Sequence, residues 1–69
     1  MNNEIWKINN EYLVAYVEDK NAMKKIKRSY PQFAVMAEYV KDGKVTAVQY
    51  RVPIEKRKTI TRMLSVPVS

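Results

Sequence analysis

The chain has 69 residues, with 13 Lys and Arg against 7 Asp and Glu, and it contains neither histidine nor cysteine. This composition excludes disulfides, an imidazole base, a thiol nucleophile and any metal site built from nitrogen or sulfur ligands. We therefore expect a binding protein without a cofactor and without enzymatic activity. Its net charge of +6 favours a polyanionic partner, although small domains also carry such charge for solubility alone.

The length and the N-terminal residues predict one small domain, spanning residues 1–69. Residues 1–4 lack the basic and apolar regions of a signal peptide, and no apolar run approaches the length of a membrane span. We expect a cytoplasmic protein with no membrane partner.

The first two β-rich segments, residues 4–8 and 11–17, flank Asn9-Asn10 and predict a hairpin, because asparagine tolerates the left-handed turn conformation. Trp6 is the single tryptophan, and we expect it to anchor the core. One face of the second segment holds Tyr12, Val14 and Tyr16, and the other holds Leu13, Ala15 and Val17. Both faces are apolar, so the sequence does not decide which of the two is buried. Outward tyrosines beside Arg51 would form a stacking surface for single-stranded nucleic acid.

A helix is predicted next. Asp19 suits its N-cap, and Pro31 disfavours helical conformation at the preceding residue, so the helix should end near Ser29. Apolar residues recur within it at helical spacing: Ala22, Met23, Ile26 and Tyr30. Glu18-Asp19-Lys20 also matches the acid-x-Lys arrangement of some nucleases, but N-capping accounts for these residues better because no further carboxylate is placed for a metal.

The middle of the chain carries the strongest structural signal, Asp42-Gly43 between β-rich residues 33–40 and 45–52. A type I′ turn needs positive φ at both central residues, which Asp-Gly favours. The predicted pairs are Val40–Val45, Ala37–Val48, Val35–Tyr50 and Phe33–Val52. Strict alternation then gives a core face of Phe33, Val35, Ala37, Tyr39, Thr46, Val48, Tyr50 and Val52. The other, mixed face holds Ala34, Met36, Glu38, Val40, Val45, Ala47, Gln49 and Arg51.

The last segment, residues 54–64, predicts a helix with Pro53 at its first position and a patchy apolar stripe. Its β-branched centre, residues 59–61, is also compatible with a strand, so both alternatives stay open. With the helix, the element order is ββαββα. This predicts an α+β fold: a small single-layer antiparallel sheet of about four strands with two helices on one face.

Each of the two predicted helices carries a stripe of Lys and Arg side chains, and these two basic stripes suggest a function. We predict that nucleic acid binds to the cations of both helices, which contact its phosphates, with Arg51 or an outward tyrosine near its bases. The helix cations are Lys20, Lys24, Lys27, Arg28, Lys56, Arg57 and Arg62. No acidic residue lies between Lys20 and Glu38, which makes the first stripe unusually pure. Any amphipathic surface helix also shows a charged stripe opposite an apolar one, so an ordinary solvated face remains an equal alternative.

A second hypothesis is a protein-binding module, such as a phage- or mobile-element-encoded inhibitor of a host protein. It would use an exposed edge strand or the mixed sheet face, where Met36, Gln49 and Arg51 cluster. Self-association as a homodimer through the half-covered sheet is a variant of this hypothesis. An ordinary solvated sheet face is the simpler alternative for these three residues.

Overall fold

A computed structural model describes residues 2–69 and shows a four-stranded antiparallel sheet with both helices on one face. The strands are β1 (Glu4–Lys7), β2 (Tyr12–Val17), β3 (Ala34–Lys41) and β4 (Lys44–Pro53), in the spatial order β1-β2-β4-β3. Helix α1 (Lys20–Ser29) joins β2 to β3, and a 3-10 turn (Ile54–Lys56) leads from β4 into α2 (Arg57–Leu64). The predicted α+β fold with ββαββα order is confirmed.

The hairpin of β1 and β2 forms as predicted, but its turn has a different basis. Neither asparagine has a positive φ. Instead, Asn9 Oδ1 accepts hydrogen bonds from the backbone N–H groups of Glu11 and Tyr12, at 2.8 and 2.9 Å. A side-chain acceptor that imitates a backbone turn therefore replaces the expected left-handed conformation.

Helix α1 has the predicted boundaries. Asp19 is the N-cap, and its Oδ1 accepts a hydrogen bond of 2.9 Å from the backbone N–H of Asn21. At the other end, the N–H of Tyr30 donates to the carbonyl of Ile26 at 2.8 Å, and the helix ends at Ser29. Asp19 thus has a structural role that accounts for its position.

The last segment is a helix, which decides between the two alternatives that its sequence allowed. Pro53 ends β4 and does not occupy the first helical position, so α2 begins at Arg57 after the 3-10 turn. The hydroxyl of the β-branched Thr61 donates to the carbonyl oxygens of Arg57 and Lys58, at 2.9 and 3.1 Å. Ser65 ends the helix in the left-handed conformation, with φ 56°.

The second hairpin has the predicted turn but not the predicted alternation. Asp42 and Gly43 both have positive φ, at 53° and 77°, and Val40 pairs with Val45 as expected. A first register shift inserts Met36 into β3. A second lies next to Tyr39, whose carbonyl oxygen accepts a hydrogen bond from the Thr46 hydroxyl at 3.1 Å. Each inserted residue changes which face the following side chains occupy.

These bulges correct the predicted faces. Ala37 pairs with Gln49 instead of Val48, so Ala37 and Tyr39 lie on the side of the sheet away from the helices. Glu38, predicted on that side, pairs with Val48 and lies on the helix side. Val45, also predicted on the mixed face, packs against the core.

One cluster of buried side chains unites the helices with the sheet. Its members are Ile5, Leu13, Ala15, Val17, Ala22, Ile26, Phe33, Val48, Tyr50, Val52, Ile60 and Leu64. The cluster settles the orientation of β2, because its inward face is the one that carries Leu13. Val35 lies on this side but is not buried, since α1 and α2 pack mainly over β2 and β4. The prediction that Val35 belongs to the core is therefore wrong.

The two edges of the sheet differ. At the β1 edge, Val68 forms a parallel bridge with Ile5, and the Ser69 N–H donates to the Ile5 carbonyl at 2.8 Å. At the opposite edge lies β3, which pairs only with β4. The C-terminal residues thus cover one edge of the sheet and leave the other open.

Candidate functional site

The sheet face away from the helices, which we call the outer face, presents four aromatic side chains. Trp6 lies on β1, Tyr12 and Tyr16 on β2, and Tyr39 on β3. Two small apolar residues beneath them, Val14 and Ala47, are 2% and 1% exposed although they lie outside the core cluster. Val14 pairs with Trp6 and Ala47 pairs with Tyr39, so each has an aromatic neighbour on this face. The outer face is therefore rich in aromatic side chains.

Trp6 was expected in the core, and the structure corrects this. It pairs with Val14 across the first hairpin and is half-buried on the outer face. Because Ile5 takes the inward position on β1, alternation sends its neighbour outward.

Arg51 lies on the outer face in contact with Tyr12. Its guanidinium carbon is 4.5 Å from the centroid of the Tyr12 ring, which is cation–π geometry. Arg51 pairs with Val14 on β2 and with Ala34 on β3, so it lies on an inner strand near the end of the sheet that holds Tyr12. The contact holds an exposed cation next to an aromatic ring. The outward tyrosines beside Arg51 that a stacking surface requires are thus present.

The Tyr16 end of the outer face carries two carboxylates beside two exposed lysines of the β3–β4 hairpin, Lys41 and Lys44. The Tyr16 and Tyr39 rings meet edge to face, with centroids 5.7 Å apart and an interplanar angle of 69°. The Tyr16 hydroxyl donates to Glu18 Oε2 at 2.9 Å, and the backbone N–H of Asn2 donates to Glu18 Oε1 at 2.8 Å. Glu4 pairs with Tyr16 across the hairpin and adds a second carboxylate at this end.

Hydrogen bonding shifts the pKa values of this pair in opposite directions. The Asn2 N–H and the Tyr16 hydroxyl both stabilise the charged carboxylate, so the pKa of Glu18 is lowered. The bond to Glu18 is also the main cause of the raised pKa of Tyr16, since it favours the protonated phenol. Glu18 therefore remains charged at neutral pH.

Most of the predicted nucleic-acid-binding residues lie on the other side of the molecule. We call these the helix-layer cations: Lys20, Lys24, Lys27, Arg28, Lys56, Arg57 and Arg62. All are exposed except Lys56, which is half-buried. The structure brings the two helices together at a shallow cleft lined by Lys25, Tyr30, Thr59, Arg62 and Met63. Arg51, on the outer face, is separated from these cations by the sheet.

The three residues predicted for protein interaction lie near one another but are not equivalent. Gln49 and Arg51 alternate on β4 and both face outward, where Gln49 pairs with Tyr16 and Ala37. Met36 is the inserted residue of the β3 bulge and is 49% exposed. Tyr39 was predicted on the core face, and only the bulge at Met36 turns it outward onto this surface.

A groove of about 460 Å³ lies on the helix side, between α1 and β3. We call it the α1–β3 groove, and its lining residues are Met23, Lys24, Ile26, Lys27, Tyr30, Pro31, Phe33, Val35, Glu38 and Tyr50. Burial in this wall raises the pKa of Tyr50, and the nearby Glu38 carboxylate adds to the shift.

Within residues 2–69, no group of three or more acidic side chains is arranged to hold a metal ion. Over the same range, neither helix is long and apolar enough to cross a membrane. Comparison with models of protein families, with curated proteins and with solved structures finds no match.

Proposed function

We propose that this chain is a non-enzymatic protein that binds single-stranded nucleic acid through the outer face. One observation carries the proposal: Arg51 stacks on Tyr12 within a half-exposed aromatic sheet surface of a chain whose net charge is +6. Bases stack on aromatic rings regardless of their sequence, and a nearby arginine adds a cation–π contact and a phosphate partner.

The spacing of the aromatic residues suits stacked bases. Tyr12 and Tyr16 lie on the same side of β2, about 13 Å apart at the usual rise of a strand. Sheet-based RNA-binding domains stack two or three bases on aromatic residues of this kind. The ββαββα order differs from the order of those domains, so the likeness lies in the surface and not in the fold.

Charge favours the Tyr12 end of the surface. There Arg51 attracts phosphates, whereas at the Tyr16 end Glu4 and Glu18 offset the attraction of Lys41 and Lys44. We therefore place the sugar–phosphate backbone near Arg51, with bases next to the Arg51–Tyr12 pair and towards Tyr39. The helix-layer cations raise the positive potential of the whole molecule and increase the rate of encounter.

The test measures binding of labelled oligothymidylate and oligouridylate to wild type, Tyr39→Ala and Arg51→Gln across a salt titration. Loss of one stacked base costs about 1–3 kcal/mol, so Tyr39→Ala should weaken binding by about 5- to 150-fold. Arg51→Gln should also weaken binding and reduce the slope of log K against log salt by about 0.7 on single strands.

Arg62→Gln is the matched control, since it removes the same charge from the helix layer. It should leave single-strand affinity nearly unchanged; an effect equal to that of Arg51→Gln would refute the outer-face site.

The helix layer has its own test. Replacing Lys24, Lys27, Arg57 and Arg62 together with glutamine should reduce the salt slope on duplex DNA by about 3–4 units, if that layer contacts phosphates directly. A loss of single-strand binding in this variant, with Tyr39→Ala unaffected, would move the site to the helices.

A protein partner is the second candidate function, and the carboxylates on the outer face favour it. Trp, Tyr and Arg dominate the energetics of protein interfaces, and Trp6, Tyr12, Tyr39 and Arg51 provide them here. Glu4 next to Tyr16 suits a protein surface of mixed charge better than a polyanion. If wild type shows no affinity below the millimolar range in about 50 mM salt, the nucleic-acid proposal fails and this candidate replaces it.

A further inference from the structure

The helix side of β3 is the part of the sheet that α1 and α2 leave uncovered. Val35 and Val40 lie on this side and are 57% and 61% exposed. The α1–β3 groove begins at Val35 and runs towards α1, with the buried Phe33 and Tyr50 in its wall. Large side chains seldom stand so exposed next to a continuous apolar groove unless a partner covers them.

The groove is apolar inside and positive along one margin. Met23, Ile26 and Tyr30 form the α1 wall, and all three pack in or against the core cluster. Lys24 and Lys27 are exposed on the same helix and line the groove. The one carboxylate in the lining, Glu38, stands on β3. A complementary partner therefore needs an apolar stripe with acidic residues on the side that faces α1.

We propose that the α1–β3 groove binds an acidic amphipathic helix of another protein. Such a helix would lie over β3 beside α1, in a position where a third helix would complete the layer on the sheet. Its apolar face would cover Val35 and Val40, and its acidic residues would face Lys24 and Lys27. The site is on the opposite side of the sheet from the outer face, so a bound helix and a bound single strand would contact different residues.

Two other occupants suit the surface less well. A second copy of the chain would also carry a charge of +6 and present basic helix faces to Lys24 and Lys27. A strand added to the β3 edge would meet the bulge at Met36, which interrupts the regular hydrogen-bonding row that strand addition uses. A helix needs only the apolar surface and the positive margin.

The experiment uses three synthetic helical peptides and fluorescence anisotropy. The first peptide has leucines at helical spacing flanked by glutamates, the second replaces the glutamates with lysines, and the third replaces the leucines with glutamines. We expect only the first to bind the wild-type protein. Lys24→Glu combined with Lys27→Glu should weaken it about tenfold, because two attractive pairs become repulsive.

Lys7→Glu combined with Lys58→Glu is the matched control, since it changes the net charge equally at residues that do not line the groove. This variant should bind the acidic peptide about as well as wild type. Val35→Glu, which places a charge in the groove at an already exposed position, should abolish binding while the circular dichroism spectrum stays unchanged.

Four results would overturn the proposal. Equal weakening by the two double variants would show that the peptide is attracted only by the net charge of the protein. Failure of the acidic peptide to bind would show that the groove is not a docking site for such a helix. Tight binding of dodecanoate in place of the peptide would make the groove a small-molecule site, and concentration-dependent dimerisation that Val35→Glu abolishes would make its occupant a second copy.

Discussion

Gly43 has a φ of +77°, and no atom lies within 4 Å of the position that a Cβ would occupy. A side chain there has room but imposes strain, because L-residues at positive φ lose about 1–2 kcal/mol. We expect Gly43→Val to destabilise the fold by at least that amount in urea unfolding, since a β-branched residue tolerates the conformation worst.

Gly43→Asn provides the comparison at this position, because asparagine enters the left-handed region more easily. It should be the milder of the two changes. Equal stability of Gly43→Val and wild type would contradict the turn conformation.

Glu18 connects the N-terminal residues to the end of β2 through the Asn2 N–H and the Tyr16 hydroxyl. Its pKa is lowered in the folded state, so its contribution to stability is complete above the unfolded pKa and disappears as the pH falls through the folded value. We expect wild type to be more stable than Glu18→Gln at pH 7. The difference should shrink as the pH falls below about 4.5. A constant difference down to pH 3 would show that the charge of Glu18 is not involved.

At the scale of the elements, α1 and β3 both carry apolar residues, but those of α1 pack in or against the core and Val35 of β3 is exposed. Ile26 on α1 is 1% exposed in the core, whereas Val35 on β3 lies under neither helix. We expect Ile26→Ala to cost about 2–5 kcal/mol of unfolding free energy, because it leaves a cavity. Val35→Ala should cost under about 1 kcal/mol.

Lys24→Ala, a change at an exposed α1 position, should cost under about 0.5 kcal/mol. A Val35→Ala penalty as large as that of Ile26→Ala would mean that a helix or a partner covers β3 in solution.

The elements that could be predicted are those whose signals are local. Asp42-Gly43 specifies its turn through its own backbone preferences, and Asp19 caps α1 through its own side chain. The bulge at Met36 has no such signal, because it depends on how β3 fits against β4. That one inserted residue moved Ala37 and Tyr39 to the outer face and Glu38 into the α1–β3 groove.

The same distinction holds for the candidate site. Tyr12, Tyr16 and Arg51 could be proposed from the sequence as a stacking surface, but only conditionally, since both faces of β2 are apolar. Tyr12 and Tyr16 face outward because the other face of β2 packs under the helices. That packing depends on contacts with Ile26 and Ile60, which come from distant parts of the chain. Helical charge stripes are visible in a sequence, whereas the side of the sheet that a helix covers is not.

At the scale of the whole molecule, the sheet separates two kinds of surface. One side combines aromatic rings with Arg51 and two carboxylates, and the other combines basic helices with the α1–β3 groove. The two proposed ligands would contact opposite sides of the sheet, so the binding of one would not block the other sterically.

The bridge between Val68 and Ile5 also limits how such molecules can assemble. A sheet with two free edges has a valence of two and can polymerise without end. Here the C-terminal residues occupy the β1 edge, so the valence is one. The bulge at Met36 already hinders pairing at the remaining β3 edge, and two molecules that did join there would have no open edge left, so growth would stop at the pair.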